Sequence, residues 1–146
     1  IAQPERDVTD PLARLPGYAL RRAASAMMAE LTERLAPLAL RIIDASLLMV
    51  ADAGSMTSSD IGRVLDIQRA NMVPLLNRLE AAGLITRQPL DRKSMAIILT
   101  PAGRARLAEV RAITGQFEED LMARIPDAHR AHFLPALQAL WSAADD

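Results

Sequence analysis

Apolar positions along the chain recur mostly at three- and four-residue intervals, the spacing of one helix face. Ala19, Leu20, Ala23, Met27 and Leu31 mark a first such face and predict a helix from about Pro16 to Leu35. Pro37 suits the first turn of a second helix, predicted to continue through Ile42, Ile43, Leu47 and Val50 until Gly54 stops it. That segment is apolar nearly all round, which marks a helix buried at the centre. Two shorter amphipathic stretches follow. In the first, Thr57 or Ser58 is a good N-cap and Asp60 lies in the first turn, where the helix dipole favours an acid. It predicts a helix over about 58–65 that presents Ile61, Val64 and Leu65. "DIQ" then turns, and Met72, Leu75, Leu76 and Leu79 form the stripe of a helix from Gln68 or Arg69 to Ala82, with Gly83 just past its end.

The period changes at "LITRQPLDRKSMAIILT", which reads as two strands joined by a polar, charged tip. Thr100 and Pro101 then fit the N-cap and first position of a long helix over about 101–124, with Leu107, Val110, Thr114, Phe117 and Leu121 along one side. Pro126 ends it. Asp127 is expected to cap a last helix bearing Phe133, Leu137, Leu140 and Trp141. Residues 1–11, rich in Pro and Asp, read as an extended arm. The expected fold class is mainly α with a small β-hairpin.

One residue resists this reading. Pro74 sits inside the helix of "RANMVPLLNRLEAAGL", where its ring removes the donor that would meet the Ala70 carbonyl. An interior proline costs about 3 kcal/mol, so a kink or a loosened Ala70 carbonyl is expected.

Composition narrows the chemistry. Aromatic residues make up 3% of the chain and hydrophobic ones 51%, which suits a helical core of Ala, Leu, Ile, Val and Met. There are no cysteines, so thiol catalysis, disulfides and cysteine-ligated zinc are excluded. No nucleophile–base pair or carboxylate dyad can be placed, so no catalytic residues, cofactor or metal are expected. His129 and His132 are three apart on a helix, but a metal needs three or four ligands, and these two read as surface residues. Glu118, Glu119 and Asp120 read as a solvated helix face. No apolar run is long enough to span a membrane, and "IAQPERDVTDP" lacks the basic-then-apolar order of a signal peptide. A soluble, cytoplasmic protein is expected.

Two short helices joined by a tight turn and followed by a basic-tipped hairpin have the order of a winged helix-turn-helix. The second helix of such a motif enters the major groove, where each base pair shows a distinct donor and acceptor pattern. Net charge is −1, but it is unevenly spread. From Ser55 to Thr100 six cationic residues face four acids, Asp60, Asp66, Glu80 and Asp91, so this segment is mildly basic while the remainder is acidic.

From Leu35 to Leu107 the chain resembles the MarR family of bacterial transcription regulators. The likeness rests on "LAPLALRIID", on "TSSDIGRVLDIQRANMVPLLNRLEAAGLITR" and on "DRKSMAIILTPAGRARL". It implies a single domain over 1–146, with dimerisation helices at 12–35 and 101–143 and a winged DNA-binding lobe at 36–100. It also implies a homodimer that reads a pseudo-palindromic site in double-stranded DNA. A small-molecule effector between the dimer helices and the lobe would release the DNA, and family habit points to an aromatic or phenolic acid or its thioester. Two departures stand out. Asp66 replaces the glycine common in the turn, and Lys93, the only lysine, occupies the position of the wing arginine. Lysine cannot fork onto two acceptors, so Arg92 is a second candidate for the wing contact. With no cysteine, the peroxide-sensing mode of the family is excluded.

The candidate DNA-binding residues follow from placement. Gln68, Arg69, Ala70 and Asn71 open the second motif helix, where Arg69 suits guanine and Asn71 adenine, unless Gln68 and Asn71 only satisfy helix-end donors. Ser58 and Ser59 offer hydroxyls and backbone N–H groups to phosphate, or serve only as caps. Pro74 presents its ring to a thymine methyl, sets the helix angle, or is only a tolerated imperfection in a short helix. Arg78, Arg87, Arg92 and Lys93 supply charge for phosphate and minor groove, Arg78 alternatively pairing near Glu80. The candidate effector-binding residues are Tyr18, Arg21, Arg22, Met27, Arg41 and Met49, with core or dimer packing as the plainer role, above all for the methionines. The competing function is a winged-helix interaction module that docks protein and does not read DNA. Near-neutral charge and the lysine-poor wing motivate it.

Overall fold

The computed structural model describes residues 10–144. Its elements are α1 (Pro16–Leu35), a 3-10 turn (Ala36–Leu38), α2 (Ile42–Ala51), α3 (Ser58–Leu65), α4 (Arg69–Ala81), β1 (Ile85–Pro89), β2 (Met95–Leu99), α5 (Pro101–Arg124) and α6 (Asp127–Ala144). Of the predicted N-terminal arm, residues 1–9 lie outside the described residues. Asp10 begins a turn in which its carboxylate accepts from Leu12 N at 2.9 Å, leading into α1.

The strands pair antiparallel, with Ile85 opposite Leu99 and Pro89 opposite Met95. Pro89 falls at the end of this edge pair, where a missing N–H is tolerated. The core lies where the C-terminal end of α1, α2, α3, α4, the hairpin and the first half of α5 meet. Leu35, Leu47, Leu48, Ile61, Met72, Leu79, Ile85, Ile97 and Val110 are its most enclosed side chains. Gly103 permits the join between α5 and the hairpin, since a Cβ there would lie 2.0 Å from the Leu84 carbonyl oxygen. Thr100 caps α5 by accepting from Gly103 N at 2.9 Å, and its hydroxyl donates to Gly83 O at 2.6 Å.

Four expectations change. The helix predicted to start at Pro37 is broken: the chain leaves the 3-10 turn through Ala39 in the left-handed region, and α2 starts only at Ile42. The Asp44 carboxylate fixes that start by accepting from Arg41 N at 2.8 Å. Val64 faces solvent with 59% exposed, because the short α3 buries only Ile61 and Gly62 fully. Asp127 lies inside α6 rather than capping it, and pairs with Arg130 at 2.6 Å. Asp120 is no mere solvated acid. It joins Arg34 at 2.8 Å, while Glu30 binds Arg34 at 2.8 Å and forks onto Arg124 with both contacts at 2.8 Å. Hydrogen bonds from Arg124 first, then Arg34, hold the Glu30 carboxyl down to about 2. This network ties α1 to α5.

Candidate nucleic-acid interface

The helix-turn-helix is built by three local devices. Thr57 caps α3: its Oγ1 accepts from Asp60 N at 3.2 Å, and the Asp60 carboxylate accepts in return from Thr57 N at 3.0 Å. Those hydrogen bonds, helped by Arg63, hold the Asp60 carboxyl below its ordinary range. Asp66 ends α3 in the left-handed region at φ 53°, a conformation that aspartate tolerates better than most residues other than glycine. Gly62 then lets α4 come close, for a Cβ there would sit 3.1 Å from Ile67 O and 3.5 Å from the Met72 side chain.

Between α3 and α4 lies an open cleft of about 710 Å³, lined among others by Ser58, Ser59, Arg63, Gln68, Arg69 and Val73. Thr57 does the capping, so the hydroxyls of Ser58 and Ser59 are not used as the N-cap. Gln68 caps α4 only through its backbone, its carbonyl accepting from Asn71 N at 2.9 Å and Met72 N at 3.2 Å. Its side chain makes no capping bond. Gln68, Arg69, Ala70 and Asn71 are all exposed at this end of the helix. The helix continues through Pro74, whose ring is exposed on the outer face.

Two candidate arginines are occupied inside the fold. Arg78 pairs with Asp44, the only buried charged residue among those described, and so links α4 to the start of α2. It does not pair near Glu80. Arg87 takes that place: it donates to Asn77 Oδ1 at 3.0 Å, and its Nε lies 3.2 Å from Glu80 Oε2 without hydrogen-bond alignment. Arg87 therefore stakes β1 to α4. Phosphate contact by either arginine would have to share the guanidinium with these partners.

The hairpin tip is a tight polar turn. Leu90 N donates to Ser94 O at 3.0 Å, and Asp91 Oδ1 accepts from Lys93 N at 2.8 Å and Ser94 N at 2.9 Å. Those bonds, the Lys93 amide first, keep the Asp91 carboxyl below its ordinary range. The Arg92 and Lys93 side chains stand exposed at the tip, and neither enters an ion pair among the described residues.

The candidate effector residues gather only in part. Tyr18, Arg21 and Arg22 cluster on α1, with the Tyr18 hydroxyl accepting from Arg22 at 3.2 Å and the Arg21 guanidinium 5.3 Å from the ring centre. Met27 lies 3.8 Å from an Arg124 nitrogen. Arg41, just before α2, and Met49, on α2, are exposed and have no hydrogen bond or ion pair to the α1 cluster. None of the six lines the α3–α4 cleft or the smaller cleft of about 350 Å³ beside Arg34, Ile113 and Gln116. Among the described residues no group of three or more His, Cys, Asp or Glu is placed to hold a metal. No helix of the described residues is long and apolar enough to cross a membrane.

Sequence reasoning missed Asp44, Asn77 and Val73. Val73 had a visible signal: it lies one turn after Arg69 and off the buried stripe of α4.

Known proteins agree with this geometry. Residues 46–94 match the sequence model of the MarR family. A transcriptional regulatory protein for the hcr operon of Thauera aromatica is 30% identical over 95 residues, 64% of this chain. The match spans 57% of that relative's own length. The solved transcriptional repressor CouR is 30% identical with a TM-score of 0.81, over 92% of this chain and 98% of that one. CouR bound to a 23-mer DNA duplex gives 31% identity and a TM-score of 0.78, over 90% and 94%. A Mycobacterium tuberculosis MarR family protein in complex with salicylic acid is 25% identical with a TM-score of 0.67, over 86% and 95%.

Proposed function

This chain belongs to the MarR family, and we propose that it is a homodimeric, ligand-responsive repressor of transcription. In this reading residues 36–100 form the DNA-binding lobe and the helices at 12–35 and 101–143 pair two chains in the cytoplasm. Two α4 helices then enter successive major-groove faces of a pseudo-palindromic operator. A small aromatic or phenolic acid, or its thioester, releases the DNA.

One observation carries the reading. Six cationic residues lie between Ser55 and Thr100; among the described residues Arg63, Arg78 and Arg87 are paired with acids, whereas Arg69, Arg92 and Lys93 are not. The three unpaired cations stand at the open end of α4 and at the hairpin tip, where a duplex would meet base edges and backbone. The DNA complex of CouR supports the partner, and the salicylic acid complex of the mycobacterial relative supports the class of effector.

Mobility shift against the gene's own upstream region tests it. Affinity should fall with salt at a log–log slope of about −4 if Arg92 and Lys93 of each of two chains each neutralise a phosphate. Arg69→Ala should cost about 1–3 kcal/mol of discrimination at particular base pairs. Equal weakening on all sequences would remove Arg69 from base reading, and binding with no sequence preference would sink the proposal. Salicylic acid and related acids, or their thioesters, should release the bound DNA; retention at saturating acid and at saturating thioester would refute the effector class.

A further inference from the structure

We propose that Ala70, Val73 and Pro74 form a surface that selects thymine by its C5-methyl group; the inference rests on the DNA-reading role of α4. The three residues stand at i, i+3 and i+4, so they are neighbours on one helix face. That face lies away from the buried Met72, Leu75, Leu76 and Leu79. All three are exposed, Val73 by 54%. A single exposed apolar residue needs no explanation. Three adjacent ones, at the centre of the face that would enter the groove, do.

The flanking polar groups show what remains to be read. Arg69 stands on one side and Asn71 on the other. Asn77, the next residue along the face, already accepts from Arg87 through its Oδ1. Its Nδ2 still offers donors beyond the Pro74 end, whereas Ala70, Val73 and Pro74 between these groups carry no side-chain donor or acceptor. The centre can distinguish base pairs only by apolar contact, and the one apolar group at the major-groove edge is the methyl of thymine. The side chains suit that task because they are stiff. Valine has a restricted χ1 and proline has a closed ring, so little side-chain freedom is lost on contact. The energy set against an interior proline in α4 then has a return at the operator.

The test uses the full chain and a site it selects from a random duplex pool. Each thymine of the selected half-site is replaced in turn by deoxyuridine, which lacks only the methyl. The native protein should lose about three- to fourfold in affinity at one or two thymines, as expected for one methyl-sized apolar group. The Val73→Ala, Pro74→Ala double variant should bind thymine and deoxyuridine sites alike, and Val73→Thr, which keeps the shape of valine, should show an intermediate loss. Circular dichroism melts confirm that the variants fold. No loss at any thymine in the native protein, or equal losses in native and double variant, overturns the inference while leaving DNA reading intact. A pool with no enriched sequence overturns the DNA-reading role itself, and this inference with it.

Discussion

Leu47, Leu48, Ile61, Met72, Leu79 and Ile97 in the winged lobe are 2% exposed or less, whereas Leu20, Met28, Leu134, Leu140 and Trp141 on α1 and α6 are 41–59% exposed. Both sets lie on elements with apolar periodicity, and the family resemblance implies that the second set belongs to dimerisation helices. The lobe finds its own cover: α2, α3, α4, the hairpin and α5 close over one another. Only the end of α1 reaches that core, through Leu31 and Leu35. Periodic apolar spacing shows that a face is meant to be covered, but it does not show which chain covers it. On the reading proposed above, a second copy completes α1 and α6.

The largest test breaks the outer region alone. Leu140→Glu with Trp141→Glu should abolish association, on the order of 5 kcal/mol or more if both side chains are buried across a twofold interface. Sedimentation should then report a single chain whose lobe keeps its circular dichroism; a persisting dimer would remove α6 from the contact.

The next test strikes inside the lobe. Arg78→Ala leaves the Asp44 carboxylate buried and unpaired and should cost about 3–5 kcal/mol in urea unfolding. Asp44→Ala should cost less, because Arg78 is 39% exposed and can turn to solvent. The reverse order would show that the helix-start bond to Arg41 N matters more than the ion pair.

Much of the lobe was legible because its boundaries carry local chemistry. Thr57 and Thr100 are caps, Pro16 and Pro101 sit in first turns, and Gly83 follows the end of α4. Each acts on neighbours within four residues. What escaped is either long-range or unmarked. The Asp44–Arg78 pair joins residues 34 apart, and no spacing rule finds it. Ala39 adopts a left-handed backbone at φ 55° with no glycine or asparagine to announce it, so α2 looked longer than it is. In α3 the period runs for only eight residues, too few to tell the Val64 side from the Leu65 side. The candidate effector residues were placed by family resemblance, and one chain does not assemble them.

A smaller effect sharpens the turn between the motif helices. Asp66→Gly should raise the melting temperature, corresponding to about 0.5–1 kcal/mol, by relieving a left-handed aspartate. No gain would mean that the carboxylate is itself held by the fold.

The smallest effect returns to the outer region and depends on pH. The Glu30 carboxyl is lowered from 4.5 to about 2, so the stability it contributes is present above pH 4.5 and is lost as pH falls towards 2. The native protein should therefore lose more melting temperature than Glu30→Gln between pH 5 and pH 2, the difference shrinking in high salt because the network is partly exposed. Parallel losses in the two proteins would refute this.

The Arg87 stake has a consequence for the operator. The hairpin is held to the lobe at several points: Arg87 to Asn77 of α4, Ile97 N to Met56 O at 2.9 Å, and Thr100 to Gly83. The distance from the α4 face to the Arg92–Lys93 tip is therefore a fixed length of the molecule. On the proposed reading, the number of base pairs within each half-site between the segment read by the helix and the segment touched by the tip would be dictated by that length. One inserted base pair there would turn the duplex by about a tenth of its helical repeat. Helix and tip could then no longer be satisfied together, whereas on the proposed reading the gap between half-sites would be set by the outer helices and not by the lobe.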